Sequence, residues 1–532
     1  MSALAVRKER PEPKALGAFY TEESVANRLV GWAIRDGSAA LLDPSCGDGA
    51  FLAAASARLA HFGSSSFRLH GIDVSADALQ ESRQRVHNAR LILSDFFDLT
   101  PQSLPGFDCV VGNPPYIRYQ TFNGDLTSKA HIRAIEAGVQ LPRLSSSWAP
   151  FVVHSARFLR PGGRLAMVMP SELGHAMYAR EVLKYLILHF KMVAIEMFRD
   201  KLFDGLGQST VLLFCEGYGE RCHQFTVTSA DSLQSESRET RTVNLETVEN
   251  GKFRLSHYIL PDSTLSLYNA LAAHPKVRRL GDVADVGIGY VTGANDFFHL
   301  SDDEQRQWKI GDKFLRPAAL NLRDVEGIAF RQGQWAARRK AGEKVHLLAL
   351  PAVAKELLPA SIQRYLHQGE INGVADRYKC RTRKFWYVVP HVRVADAFLS
   401  YMSGEMPRLV TNTAGLVAPN TIHLLRLLKG SDANSHAAAW RNSLTKLSCE
   451  MEGHALGGGL FKIEPSEAER ILVVGPSASH AQMLLDHCDR GLTNSLDLFD
   501  RHLLRKEIGL TEADCLSMRE AAMRMEQWRK HQ

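Results

Sequence analysis

From Ala39 to Glu216 the chain alternates short apolar runs with longer amphipathic ones, and that alternation leaves few folds open. "AALLD", "FRLHGID", "RLILSD", "FDCVVG", "RLAMVMP", "MVAIEMF" and "STVLLFCEG" have strand length. "AFLAAASARLAHF" and "ADALQESRQRVHNA" have helix length and period. Strands separated by helices of about 10–15 residues specify βαβ units and a mainly parallel sheet with helices on both faces, an α/β fold. "WAPFVVHSARFLRPGG" reads as a helix stopped by Pro-Gly-Gly. The pattern fades near Glu216, and the polar, turn-rich residues 217–250 read as the tail of a first domain and a linker. A chain of 532 residues exceeds one typical domain. We therefore expect two domains, 1–245 and 246–532, the second of mixed α+β type with C-terminal helices.

Charge distinguishes the two halves. Residues 1–250 hold 26 Lys and Arg against 27 Asp and Glu, a net −1, whereas 251–532 hold 38 against 31, a net +7. A segregated basic half raises the expectation of a polyanionic partner. No stretch approaches the roughly 18 apolar residues of a membrane span. The first twenty residues lack the apolar core of a signal peptide. Eight cysteines form no CxxC pair, so neither a zinc ribbon nor a disulfide framework is expected, and a reducing cytoplasm is.

The chemistry-bearing residues fall at strand ends. In "LLDPSCGDGAFL" a strand ends at Asp43 and a loop with Gly47 and Gly49 opens a helix. Small residues let backbone N–H groups approach a ligand, and the helix start favours an anion. The spacing is neither a dinucleotide fingerprint nor a P-loop. Asp73 in "GIDVS" ends the second strand about 20 residues on, where a carboxylate accepts ribose hydroxyls; it would equally cap the next helix. Asp95 in "LSDFFDL" either accepts an adenine amino group with Phe96 against the ring, or caps a turn beside a core Phe. Then comes "FDCVVGNPPYIRYQ", a strand that runs into an amide, two prolines and a tyrosine. Proline cannot feed a ladder and stiffens what precedes it.

These motifs in this order, "DPSCGDGAFL", "GIDVS", "SDFFD" and "GNPPY", resemble the S-adenosylmethionine-dependent amino-methyltransferases. The upstream "GAFYTEESVANRLV" is similar to the cofactor motif of the gamma class of DNA adenine-N6 methyltransferases, the Taq methylase type. The likeness continues to about residue 216, and "VGIGYVTGANDFF", "PNTIHLL" and "GGGLFKIEP" resemble parts of the target-recognition domains of such enzymes. The resemblance implies a Rossmann-like methyltransferase domain that binds S-adenosyl-L-methionine through Phe19, Thr21, Asp43, Pro44, Ser45, Cys46, Gly47, Gly49, Asp73, Val74, Asp95 and Phe96. Phe19 and Thr21 would meet the methionine end, and Asp43 the amino group. It implies a catalytic set of Asn113, Pro114, Pro115, Tyr116 and, from "KLFDGLGQST", Phe203, which would otherwise be a core residue. The adenine amino nitrogen is a weak nucleophile because its lone pair enters the ring. The Asn113 side-chain oxygen and the Pro114 carbonyl would draw on its two hydrogens and stabilise the charge that develops. Tyr116 would stack on the base, and no metal is called for. Methylases of the cytosine amino group more often carry Ser at the Asn113 position, which points to adenine.

A base in a duplex must be flipped out to reach such a pocket, at a cost of a few kcal/mol. "RYKCRTRKFWYVVP" interleaves five basic residues with aromatics, and "RQGQWAARRKAGEK" is a second basic run. Arg338, Arg339, Arg381, Arg383 and Lys384 are thus either phosphate contacts or a solvated face. Arg118 either touches the DNA backbone or caps its loop, and His423 reads as structural. The expectation is a monomer or weak dimer that modifies double-stranded DNA beside a separately acting restriction endonuclease, with the DNA held between the two domains. The rivals are an RNA or protein-glutamine methylase, a cytosine-N4 methylase, a fused nuclease-methylase and a catalytically silent DNA-binding module.

Overall fold

The computed structural model describes residues 21–64, 67–117, 125–203, 209–323, 325–456, 459–489 and 496–531. Phe19 and Arg118 lie outside them. The chain divides into two compact units, one reaching Ile259 with the final two residues, the other spanning Leu260–Lys530. The division thus falls at 259/260 and not at 245/246. The segment between those points still packs on the first unit, where Phe253 stacks on Phe225 at 5.4 Å.

The first unit is built on a nine-stranded sheet in the order β3-β2-β1-β4-β5-β7-β6-β8-β9. Its strands are β1 (Ala40–Asp43), β2 (Arg68–Asp73), β3 (Ala89–Leu93), β4 (Phe107–Gly112), β5 (Leu159–Pro170), β6 (Phe190–Phe198), β7 (Thr210–Tyr218), β8 (Gln224–Ala230) and β9 (Arg238–Thr242). The helices are α1 (Glu23–Ala33), α2 (Ala50–His61), α3 (Ala76–Arg85), α4 (Asp125–Glu136), α5 (Trp148–Ala156), α6 (Ala179–His189) and α7 (Leu245–Glu249). β3, β2, β1, β4 and β5 run parallel, and β7 inserts antiparallel between β5 and β6. All four residues of β1 are buried, as a central strand covered on both faces requires. The chain winds outward from β1 through β2 to β3, then returns to place β4 on the other side of β1. This is a topological switch point, and the crevice beyond the strand ends there is where such sheets bind ligands.

Two expectations need correction. The polar stretch after Glu216 is not a linker, because it supplies β8, β9 and α7. β8 carries the alternation of a half-buried strand, with Phe225 and Val227 inward and Gln224 outward. Nor does α5 run to Pro-Gly-Gly. It stops at Ala156, and "LRPGGR" already belongs to β5. The pairing jumps from Phe107↔Leu159 to Cys109↔Arg164, so Pro161-Gly-Gly forms an irregularity in the strand, with Gly162 at φ +79°.

The second unit is assembled from small sheets. A four-stranded antiparallel sheet orders Ala284–Ile288, Ile422–Leu427, Ala397–Ser400 and Leu409–Thr411. Two aromatic-rich cores lie in this unit, one around Tyr290, Phe298 and Tyr365, the other around Phe330, Trp335 and Phe398. The C-terminal helices expected from composition run Ala478–Asp489 and Glu512–His531. Among the described residues no helix is long and apolar enough to cross a membrane, and all eight cysteines are buried free thiols.

Candidate active site

Parallel pairing brings the C-terminal ends of β1, β2, β3 and β4 to one edge of the sheet, so Asp43, Asp73, Asp95 and Asn113 converge there although 70 positions separate the first from the last. Asp43 is fully buried. One carboxylate oxygen accepts the Ser45 N–H at 3.1 Å, and the other has no partner among the described residues. Burial holds this carboxyl well above the usual range, and the charges of Asp73 and Asp48 add to the shift. A buried carboxylate with an open oxygen is suited to a cationic group, such as the ammonium of a bound S-adenosylmethionine.

The loop after β1 wraps that position. Gly47, at φ +51°, donates its N–H to Asp73 Oδ2 at 2.9 Å, and Cys46 N–H reaches the Ile72 carbonyl. Gly49 starts α2 at φ +84°, and a Cβ there would stand 2.5 Å from Ser82 Oγ, so no other residue fits. Asp73 also accepts from Ser75 N–H at 2.8 Å through its other oxygen, and remains half-exposed. Beside it Val74 is 60% exposed, an apolar surface that a cofactor ring could cover. These residues fit S-adenosylmethionine.

Phe96 follows the plainer of its two readings, and one oxygen of Asp95 serves as a turn cap. Asp95 caps a short turn by accepting the Phe97 N–H at 3.0 Å. The Phe96 ring is buried against Phe151 and Phe158, with centroids at 4.9 and 5.2 Å, so it has no free face for adenine. The expected stacking is therefore corrected. "FFD" places two phenylalanines in a single turn, and both turn into the core.

The Asn113–Tyr116 turn is held from three sides. Ser45 Oγ, in the cofactor loop, donates to the Asn113 carbonyl at 3.0 Å. The close approach depends on Gly112, where a Cβ would press on Asp43 Oδ1 at 3.1 Å and on Pro44. Ser147, just before α5, donates its hydroxyl to the Pro115 carbonyl, accepts the Ile117 N–H at 2.8 Å, and donates its own N–H to the Ile117 carbonyl at 3.1 Å. Tyr116 Oη lies 2.9 Å from the Val168 carbonyl on β5 and 2.8 Å from the Asn113 side-chain oxygen. Burial pushes the Tyr116 phenol up, so it stays protonated. The other end of the Asn113 amide is 3.4 Å from Thr21 Oγ1. The Pro114 carbonyl meets no donor among the described residues. Ser147 was not singled out in the sequence. Its only signal is a serine run, "SSSW", at a helix start, which says nothing about a partner 30 residues away.

Phe203 is 4% exposed, in the apolar cluster against which Tyr116 also packs. In this arrangement its ring is largely covered by the core.

The basic residues of the second unit divide by engagement. Arg339 forks onto Asp302 at 2.9 Å and lies over Trp335, while Arg338 reaches the Asn321 carbonyl over Phe330. Arg383 spends its guanidinium on the carbonyls of Val291 and Thr292, at 2.6 and 2.8 Å, so it pins the "VTGAN" loop and is not poised for phosphate. Arg381 and Lys384 are exposed, and Arg381 and Lys379 flank the 65% exposed ring of Tyr378. His423 is buried and bonded to the Ile463 carbonyl at 2.7 Å, a structural histidine.

The family model described as N-6 DNA methylase matches residues 7–252, and that of the C-terminal domain of the type II methyltransferase M.Eco57I matches 252–504. The type II methyltransferase M.AccI of Acinetobacter calcoaceticus is 20% identical over 474 residues, covering 86% of this chain and 85% of its own. M.XamI of Xanthomonas campestris pv. amaranthicola is 22% identical over 487 residues, 88% and 87% of the two chains. The solved structure of the type IIL restriction-modification enzyme MmeI in complex with DNA overlaps 95% of this chain and 72% of its own, with a TM-score of 0.53 at 11% identity, a likeness of fold.

Proposed function

Because this chain belongs to the N-6 DNA methylases of type II modification systems, we propose that the end of β4 is where it methylates adenine, with Asn113 and Pro114 as the two acceptors for the amino group. The enzyme is an S-adenosylmethionine-dependent DNA methyltransferase. Its cofactor supplies an electrophilic methyl group on a sulfonium. Asp43 would hold the ammonium of that cofactor, Gly47 and Gly49 would line its approach, and Asp73 would accept its ribose hydroxyls, with Val74 beside the base.

The observation that carries the assignment is the state of the Pro114 carbonyl. Among the described residues the carbonyls of Asn113, Pro115 and Ile117 are each taken by Ser45 or Ser147, while those of Pro114 and Tyr116 meet no donor, and Pro114 directly follows Asn113 in the chain. Two acceptors on adjoining residues would match the two hydrogens of one amino group. Drawing on both concentrates the nitrogen lone pair toward the methyl and stabilises the positive charge that grows on nitrogen. No tuned base is required, since the methylated ammonium is strongly acidic and loses its proton readily. Prolines and serine anchors keep the geometry within the narrow tolerance of near-attack alignment. The Tyr116 ring stacks on the flipped base.

DNA is the substrate, and the exposed Lys379, Arg381 and Lys384 around Tyr378 are the phosphate contacts this reading favours. On this reading a separately acting endonuclease would cleave unmodified sites, and the methylase would act in the cytoplasm as a monomer or weak dimer. The test is modification-sensitive sequencing of DNA from a methylation-free host expressing this chain. N6-methyladenine at one recurring sequence supports the reading. Methylated RNA or protein with unmodified duplex DNA refutes it.

A further inference from the structure

An amide has an acceptor at one end and a donor at the other, and only the acceptor end of Asn113 serves the reaction. The ends have nearly the same shape, so their neighbours decide which way the group points. Tyr116 Oη stands 2.8 Å from one end and 2.9 Å from the Val168 carbonyl. A phenol has one proton to give. With Oδ1 facing the phenol, two pure acceptors compete for that proton and one is left against a bare lone pair in a largely buried site. Turning the amide by half a rotation removes the conflict. Tyr116 then donates to Val168 and accepts from Asn113 Nδ2. The oxygen comes to the side of Thr21, whose Oγ1 lies 3.4 Å from that end and can donate to it. Thr21 belongs to the segment expected to meet the methionine end of the cofactor, so the acceptor then faces the methyl donor.

We propose that the Tyr116 hydroxyl, anchored on the Val168 carbonyl of β5, sets the orientation of the Asn113 amide and so presents Oδ1, rather than Nδ2, to the adenine amino group. Tyr116 thereby has two separable parts. The ring stacks on the base, and the hydroxyl positions a neighbour. With the amide reversed, Nδ2–H would meet the amino hydrogens donor to donor, which removes one of the two acceptors the reaction depends on. The inference rests on the methyltransferase reading above.

Tyr116→Phe keeps the ring and deletes the hydroxyl. The rate of a single turnover is measured on a duplex carrying the target adenine found by sequencing. Affinities, with S-adenosylhomocysteine present, are measured for that duplex and for one with purine at the target, which lacks the amino group. The proposal expects at least a tenfold slower turnover in Tyr116→Phe. It also expects the adenine-to-purine affinity ratio to fall at least threefold, with purine-duplex affinity within twofold of wild type. A purely structural or stacking role would weaken both duplexes by one factor, and that result overturns it, as does a wild-type turnover rate. Wild-type protein that methylates no duplex overturns the functional reading instead, so the two failures are distinct.

Discussion

Ser147→Ala isolates the role of a residue that touches neither cofactor nor base. The hydroxyl makes two hydrogen bonds to the catalytic turn, to the Pro115 carbonyl and from the Ile117 N–H, and the side chain is 1% exposed. Each such bond contributes about 0.5–1.5 kcal/mol net, and a buried group left without its partner costs about 1–3 kcal/mol. Alanine fits the space and brings no new polar atom, so the loss falls on the turn. If about 2–3 kcal/mol of it is felt where the Pro114 carbonyl must meet the amino group, turnover slows by roughly 30- to 160-fold. Cofactor affinity should stay within about threefold, since Ser147 contacts none of the β1 loop, and a displacement of about 1 Å is enough for a loss of this size. The assay is single-turnover methyl transfer at saturating DNA, beside cofactor titration and thermal unfolding. A rate within threefold of wild type refutes the argument that Ser147 holds the acceptor in place. A loss of cofactor binding equal to the loss of rate refutes its confinement to the turn.

Asn113→Ala should retain cofactor binding and lose about 10²–10³-fold in turnover, as when one of a pair of preorganised polar groups is removed; unchanged turnover on methylated-base analysis refutes the acceptor role. Asp43→Asn should weaken cofactor binding, and its pH dependence gives the sign. The free carboxyl has a raised pKa and must be ionised to pair with an ammonium, so wild-type affinity should fall as pH drops, while the variant's should stay flat by calorimetric titration. Replacing Lys379, Arg381 and Lys384 together by Gln should flatten the slope of log affinity against log salt by up to about 0.9 for each phosphate no longer neutralised, whereas Arg383→Gln should lower thermal stability because it removes the pin on the Val291–Thr292 carbonyls.

The sequence made the sheet legible because period and length decide strands and helices locally. Asp43, Asp73 and Asn113 could be read as one site because parallel strands deliver their C-terminal ends to one edge, whatever the sequence distance. It failed where composition outvoted period. β8 alternates, but Thr, Ser and Gln made it look like a linker. "FLRPGG" has the vocabulary of a helix stop, yet a parallel neighbour, β4, draws those residues into a strand. Phe96 and Arg383 show a further limit. A side chain's type gives what it can do, and only the packing shows whether its face or its charge is already spent.

The turn at Asn113 shows why this failure and that success meet in one place. Two prolines remove two N–H donors, so the turn cannot satisfy its own carbonyls by local hydrogen bonds. Donors must come from elsewhere in the chain, and Ser45 and Ser147 bring them from positions 68 and 32 residues away. The prolines therefore have a second consequence beyond stiffness. They make the turn depend on distant donors, and among the described residues those donors reach the carbonyls of Asn113, Pro115 and Ile117 but not that of Pro114. A sequence that supplied one more donor near Pro114 would bind the turn more firmly and lose the acceptor. The rigid placement that the reaction needs and the unengaged carbonyl that it would use both follow from the scarcity of local donors in this turn.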